Sequence, residues 1–124
     1  MKFVRLLFVI PLLLFAAPAE SGSIGKILYF SSEYCIYCKV FDREVYGIYA
    51  RTDTGKILPM VKVDTFDPQE EYEEIADNVL LTPCFRVYDV AGREVSRIRG
   101  YRGEEFWWGE LKEIITKMQT EAVR

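Results

Sequence analysis

The pair Cys35-Ile36-Tyr37-Cys38 constrains this chain more than any other feature, because of what flanks it. Ahead of it, Ile24–Phe30 (IGKILYF) is mostly apolar and β-rich and reads as a buried strand. Ser31 and Ser32 then supply helix-start residues. Beyond the pair, Cys35, Cys38, Phe41, Val45 and Ile48 recur at helical spacing. Two thiols are thus expected one turn apart at the mouth of a helix. A helix N-terminus presents unpaired N–H groups and the positive end of the macrodipole. Both favour a thiolate and lower its pKa. Cys35, nearer the tip, is expected to be the exposed nucleophile, and Cys38 the resolving thiol.

Other uses of the two thiols are narrowed by composition. A zinc site takes about four Cys or His ligands. This chain has no histidine and only one further cysteine, Cys84. No metal and no cofactor is therefore expected. A c-type haem attachment would need histidine after Cys38, where Lys39 stands. A purely structural disulfide stays open. An odd count of three cysteines leaves at least one outside any internal disulfide. The formal net charge of −3 argues against nucleic-acid binding.

Residues 1–19 read as a secretory signal peptide. Lys2 and Arg5 give a basic start, Leu6–Ala17 is apolar apart from Pro11, and Ala17-Pro18-Ala19 is a small-x-small exit ahead of Glu20. The apolar run of about 12 residues falls short of the roughly 20 that span a bilayer. Export to the periplasm by a cleaved signal is the expectation, leaving residues 20–124 as one domain.

Along that domain, Arg51–Lys56 is a polar loop, Ile57–Asp64 a second strand, and Pro68–Leu80 a helix with an acidic, proline-led start. Cys84–Val90 and Glu94–Arg99 form a hairpin about Ala91-Gly92. Gly103–Thr120 is a final helix with an apolar stripe of Trp107, Leu111, Ile114, Ile115 and Met118. The order β-α-β-α-β-β-α predicts an α/β fold, a small mixed four-stranded sheet with helices on both faces.

Strand, CxxC, helix, and then Thr82-Pro83 opening a third strand resembles the thioredoxin-like fold over Ile24–Thr120. That resemblance implies a cis bond before Pro83, facing the cysteines, with the backbone just ahead of it pairing to substrate as an added strand. It also implies that Gly100, after the last strand, lines the same groove. A narrower resemblance rests on Tyr29-Phe30, Tyr37 and the stretch Gly100-Tyr101-Arg102-Gly103-Glu104-Glu105-Phe106-Trp107-Trp108. These look like the small periplasmic thioredoxins of bacterial sulfur-oxidation systems. The implied activity is thiol–disulfide exchange on a partner protein, a sulfur carrier among the candidates, with electrons from a membrane thiol transporter. A monomer is expected. The implied site is Cys35 and Cys38 for catalysis, with Thr82, Pro83, Tyr37, Gly100 and Tyr101 for substrate; Tyr34, Tyr37 and Tyr101 would make its apolar rim.

The chain departs from the family pattern in three places. Tyr29 stands where the family has a buried aspartate, and Met60 is expected where its lysine partner would be. The proton acceptor for Cys38 is thus unassigned; Glu33, close in sequence, reads as a solvated charge. Cys84 stands where the family often has threonine, sharing a strand face with Arg86 and Tyr88, and reads as a small buried hydrophobe. The spacer lacks histidine, which implies a reducing to intermediate potential. An oxidase or isomerase running the same chemistry in reverse, and a non-catalytic thiol-binding module, are the alternatives.

Overall fold

Strand β1 (Gly25–Ser31) forms where the chain is most apolar, and it sits inside a four-stranded sheet of order β2-β1-β3-β4. The structure is a computed structural model that describes residues 22–123. The signal segment expected at residues 1–19, and its cleavage point, lie outside the described residues. Strand β1 pairs in parallel with β2 (Met60–Asp64) and antiparallel with β3 (Cys84–Asp89), which pairs antiparallel with β4 (Glu94–Arg99). The mixed sheet and the hairpin follow the sequence expectation.

Alternation along β1 sends its side chains to two cores. Ile27 and Tyr29 join Phe41, Val45, Phe85, Val87 and Trp107 on one face. Leu28 and Phe30 join Val63, Tyr72, Ala76 and Cys84 on the other. The first face is covered by the helix carrying the cysteines and by α5 (Glu104–Ala122). There Trp107 is buried and Trp108 half-buried. The second is covered by a 3₁₀ turn (Glu70–Tyr72) and α4 (Glu73–Asp77). Helices thus lie on both faces. Among the described residues no helix is long and apolar enough to cross a membrane.

Four local expectations are corrected. First, the cysteine helix is not uniform: α1 (Ile36–Phe41) runs into a π turn (Asp42–Tyr46) and then α2 (Gly47–Tyr49). In that turn the Gly47 N–H donates to the Asp42 carbonyl, an i→i+5 bond. The extra residue shifts the helical phase, so Tyr49 is 1% exposed and Ile48, expected inside, is 46% exposed. Second, the expected loop Arg51–Lys56 contains α3 (Asp53–Ile57). Thr52 caps it by accepting the Gly55 N–H at 3.0 Å, and Gly55 fits because a Cβ there would run into the Tyr49 carbonyl. Third, Ile57 closes that helix, so β2 begins only at Met60. Fourth, the helix expected over Pro68–Leu80 ends at Asp77, and Leu80 is fully exposed. Only Tyr72 and Ala76 are buried along it, one i, i+4 pair, too little apolar surface for a longer helix.

Candidate functional site

The C-terminal end of β1 delivers the chain to the helix tip. Ser32 turns it, accepting the Cys35 N–H on its carbonyl at 3.1 Å and the Tyr34 N–H on its hydroxyl at 3.2 Å. Cys35 is then the N-cap of α1, with extended backbone, and its Sγ accepts the Cys38 N–H at 3.1 Å. A sulfur is the capping atom here, in the place usually filled by a hydroxyl or carboxylate. Cys35 and Cys38 form a disulfide with Cα atoms 5.2 Å apart, inside the ordinary range. Cys35 is half-buried, whereas Cys38 is 1% exposed. Only the first sulfur is therefore open to an incoming group.

The Thr82–Pro83 bond is cis. Thr82 and Cys35 line one groove of about 270 Å³, together with Ser32, Thr65, Phe66 and Leu81. Gly100, at φ +77°, donates its N–H to the Pro83 carbonyl at 2.8 Å. That left-handed backbone explains the glycine and fixes it beside the proline. Tyr34, Phe66 and Leu80 line the groove and are exposed; Tyr37, in the spacer between the cysteines, is exposed but does not line it. Tyr101 is not part of that rim. It is 7% exposed, packs on Phe41 at 5.2 Å, and donates to Glu44 at 3.3 Å. The tight backbone turn at Gly100 carries the Tyr101 ring inward.

Beneath Cys38 lies a polar group only partly visible in the sequence. The Tyr29 hydroxyl is 3.2 Å from the Cys38 carbonyl and 3.0 Å from Asp42 Oδ1. Lys62 Nζ pairs with Asp42 Oδ2 at 2.8 Å. Strand register corrects the expectation at Met60: Met60 lies opposite Ile27, and Lys62 lies opposite Tyr29. The lysine is thus present, and a helix carboxylate, not a strand carboxylate, meets it. Burial is the main cause pushing the Tyr29 phenol well up, with Asp42 adding to it, so the hydroxyl is a donor. Helical periodicity in the sequence places Asp42 one turn after Cys38, but only the β1/β2 register brings Lys62 to it. Glu33 is exposed, and Cys84 is buried and outside any disulfide.

No protein-family model matches the chain, and no curated protein does. Solved structures do. The chain is similar to the periplasmic thioredoxin SoxS from Paracoccus pantotrophus in its reduced form, at 28% identity and a TM-score of 0.62, over 74% of this chain and 96% of that one. It is also similar to Plasmodium falciparum thioredoxin, at 26% identity and a TM-score of 0.56, over 77% and 82% of the two chains. Malassezia sympodialis thioredoxin shares the fold at 19% identity and a TM-score of 0.59, over 80% of each. With a disulfide-forming cysteine pair at a helix N-terminus, half-buried Cys35 sharing a groove with Thr82 ahead of the cis bond to Pro83, on this sheet, the chain belongs to the thioredoxin-like superfamily and is a thiol–disulfide oxidoreductase.

Proposed function

We propose that the protein is an exported reductase of the periplasm that removes a disulfide, or a cysteine-linked sulfur, from a partner protein. The observation that carries the site assignment is the groove in which half-buried Cys35 and Thr82 face the same opening while Cys38 stays covered. In the reducing direction the Cys35 thiolate attacks a partner sulfur. A Cys35–partner disulfide forms and the displaced partner thiolate takes up a proton. The Cys38 thiol then loses its proton and attacks Cys35 Sγ. The mixed disulfide breaks, the partner leaves as a thiol, and the enzyme keeps the Cys35–Cys38 disulfide. Two electrons pass from enzyme to partner.

Substrate backbone pairs beside Thr82 and Pro83, with Tyr37 an exposed ring in the spacer between the cysteines and Gly100 held against the Pro83 carbonyl. Tyr101 serves from behind, by holding Phe41 and the end of α1. The similarity to a periplasmic thioredoxin and the signal-like residues 1–19 support export. The resemblance of Tyr29-Phe30, Tyr37 and Gly100–Trp108 to the periplasmic thioredoxins of sulfur-oxidation systems suggests a sulfur-carrier protein as the partner and a membrane thiol transporter as electron donor. The enzyme acts as a monomer.

A Cys38→Ser variant expressed in a periplasm-containing host tests this reading. The trapped partner should be joined through Cys35 and be released by dithiothreitol. Mass spectrometry of the same material should show a chain beginning at Glu20 or within a few residues of it. The wild-type protein should reduce insulin catalytically. Absence of insulin turnover would point to the non-catalytic thiol-binding alternative, and a full-length chain in the membrane fraction would overturn export.

A further inference from the structure

The sheet face away from the cysteine helix carries a cluster that thiol exchange does not use. Arg86 on β3 lies opposite Arg97 on β4, and Cys84 lies opposite Arg99. Arg86, Arg97 and Arg99, with Cys84, line one concavity of about 130 Å³, closed on its other side by Asn78, Val79, Leu80 and Leu81. Val79, Leu80 and Leu81 also line the Cys35 groove. The concavity therefore lies behind the segment that walls the groove.

Arg86 is the unusual member. It is only 7% exposed, its guanidinium lies 5.5 Å over the Phe30 ring, and its buried Nε has no hydrogen-bond partner among the described residues. A buried cation is costly unless a counter-charge and hydrogen bonds satisfy it. Glu94 is the carboxylate in contact with the cluster. It pairs with Arg97, which holds its carboxyl below the usual range, and Arg86 and Arg99 add to that effect. One carboxylate against three guanidinium groups leaves an excess of two positive charges. A water of about 30 Å³ cannot offset them, although the volume admits about four. One tetrahedral oxyanion fits that space, and arginine forks match its oxygens.

We propose that Arg86, Arg97 and Arg99 form a binding site for a small free divalent oxyanion, of the sulfate or phosphate kind, behind the 78–81 segment. Arg86 forms its floor and presents its guanidinium to the ion; Arg97 and Arg99 close over it from the exposed edge strand.

The test is a titration of the ¹⁵N-labelled, oxidised full chain with sodium sulfate, and with sodium chloride at matched ionic strength. Sulfate should produce saturable shifts in the amides of Cys84, Arg86, Arg97 and Arg99, and chloride should not. Arg86→Gln risks the fold, so the exposed pair decides: Arg97→Gln combined with Arg99→Gln should weaken binding at least about tenfold. Arg102→Gln, on the loop before α5, should leave it unchanged. Phenyl phosphate should bind at least about tenfold more weakly than phosphate, because the 78–81 segment closes one side. Equal responses to sulfate and chloride, or an unchanged affinity in the double variant, would overturn the site. Equal binding of the organic and inorganic phosphates would overturn its assignment to a free ion.

Discussion

The Tyr29 hydroxyl lies 3.0 Å from Asp42 Oδ1, and this contact ties the strand ahead of the cysteines to the helix that carries them. Because the same hydroxyl is within 3.2 Å of the Cys38 carbonyl, Asp42 is the carboxylate that the structure ties to the backbone of the resolving cysteine. A hydroxyl has one hydrogen, so it serves one acceptor at a time. Lys62 occupies the other Asp42 oxygen.

This arrangement makes Asp42 the candidate acceptor of the Cys38 proton. Asp42→Asn should slow the second step, release of the mixed disulfide, on the order of tenfold, below the roughly 100-fold of a directly placed base. The first step, attack by Cys35, should be unchanged. Stopped-flow single turnovers across a pH series separate the two steps. An unaltered pH profile for release would remove Asp42 from the mechanism. Tyr29→Phe should cost about 1 kcal/mol of stability, the scale of one hydrogen bond.

Exposure assigns the two thiols of the reduced enzyme different fates. Iodoacetamide should reach Cys35 first, since Cys38 is 1% exposed behind it. Peptide mapping after brief alkylation is the check, and Cys84→Ser should not change the order. Preferential labelling of Cys38 would reverse the role assignment.

Cys84 packs in the smaller core with Phe30, Val63 and Ala76 and has no disulfide partner. Cys84→Thr should therefore change stability by no more than about 1.5 kcal/mol, the scale of near-isosteric core swaps. Insulin-reduction turnover should survive within a few-fold. Chemical denaturation and non-reducing peptide maps of half-oxidised enzyme test both. A Cys84-containing internal disulfide formed in good yield, together with lost turnover in the variant, would show a redox role instead.

Alkali should unfold the protein through its buried phenols. Burial first, and Glu44 second, push Tyr101 up to about 12, and burial pushes Tyr29 and Tyr49 higher still. Unfolded tyrosines lose their protons near pH 10. Above that pH the folded chain holds protons that the unfolded chain has released, so stability falls. Below about pH 10 these groups contribute no pH dependence. For Tyr101 the decline runs from about 10 to about 12. Urea midpoints measured either side of pH 10 should show it, and Tyr101→Phe should shallow the slope. A flat stability across that window would contradict the buried placement.

Local chemistry explains how much of this was readable in advance. The cysteine pair, the hairpin and the last helix are each set by neighbours in sequence, and the structure keeps them. Thr52 shows the opposite case: a capping residue inside a polar stretch outweighs the absence of an apolar stripe, and a helix forms where a loop was expected. Lys62 shows a third. Its partner is fixed by strand register, a two-residue difference from Met60 that periodicity alone does not determine. The inward turn of Tyr101 depends on the left-handed Gly100 before it, which composition does not reveal. The arginine concavity needs two strands and a loop to meet.

The π turn at Asp42–Tyr46 gives the cysteine helix two halves that answer to different neighbours. Each helical residue turns the chain by about 100°, so an extra residue in a plain α-helix would re-aim everything after it; the π turn absorbs that residue while the cysteines stay where β1 sets them. Deleting a single residue there would restore an ordinary helix and leave Tyr49 facing inward, because the residue removed is the one the π turn absorbs, so its bond to the Leu58 carbonyl at 2.6 Å would persist with Ile48 still outside. This joint thus decouples length from phase: the helix carries one residue more than an α-helix would, and the α2–α3 corner still meets the core without disturbing the sulfurs.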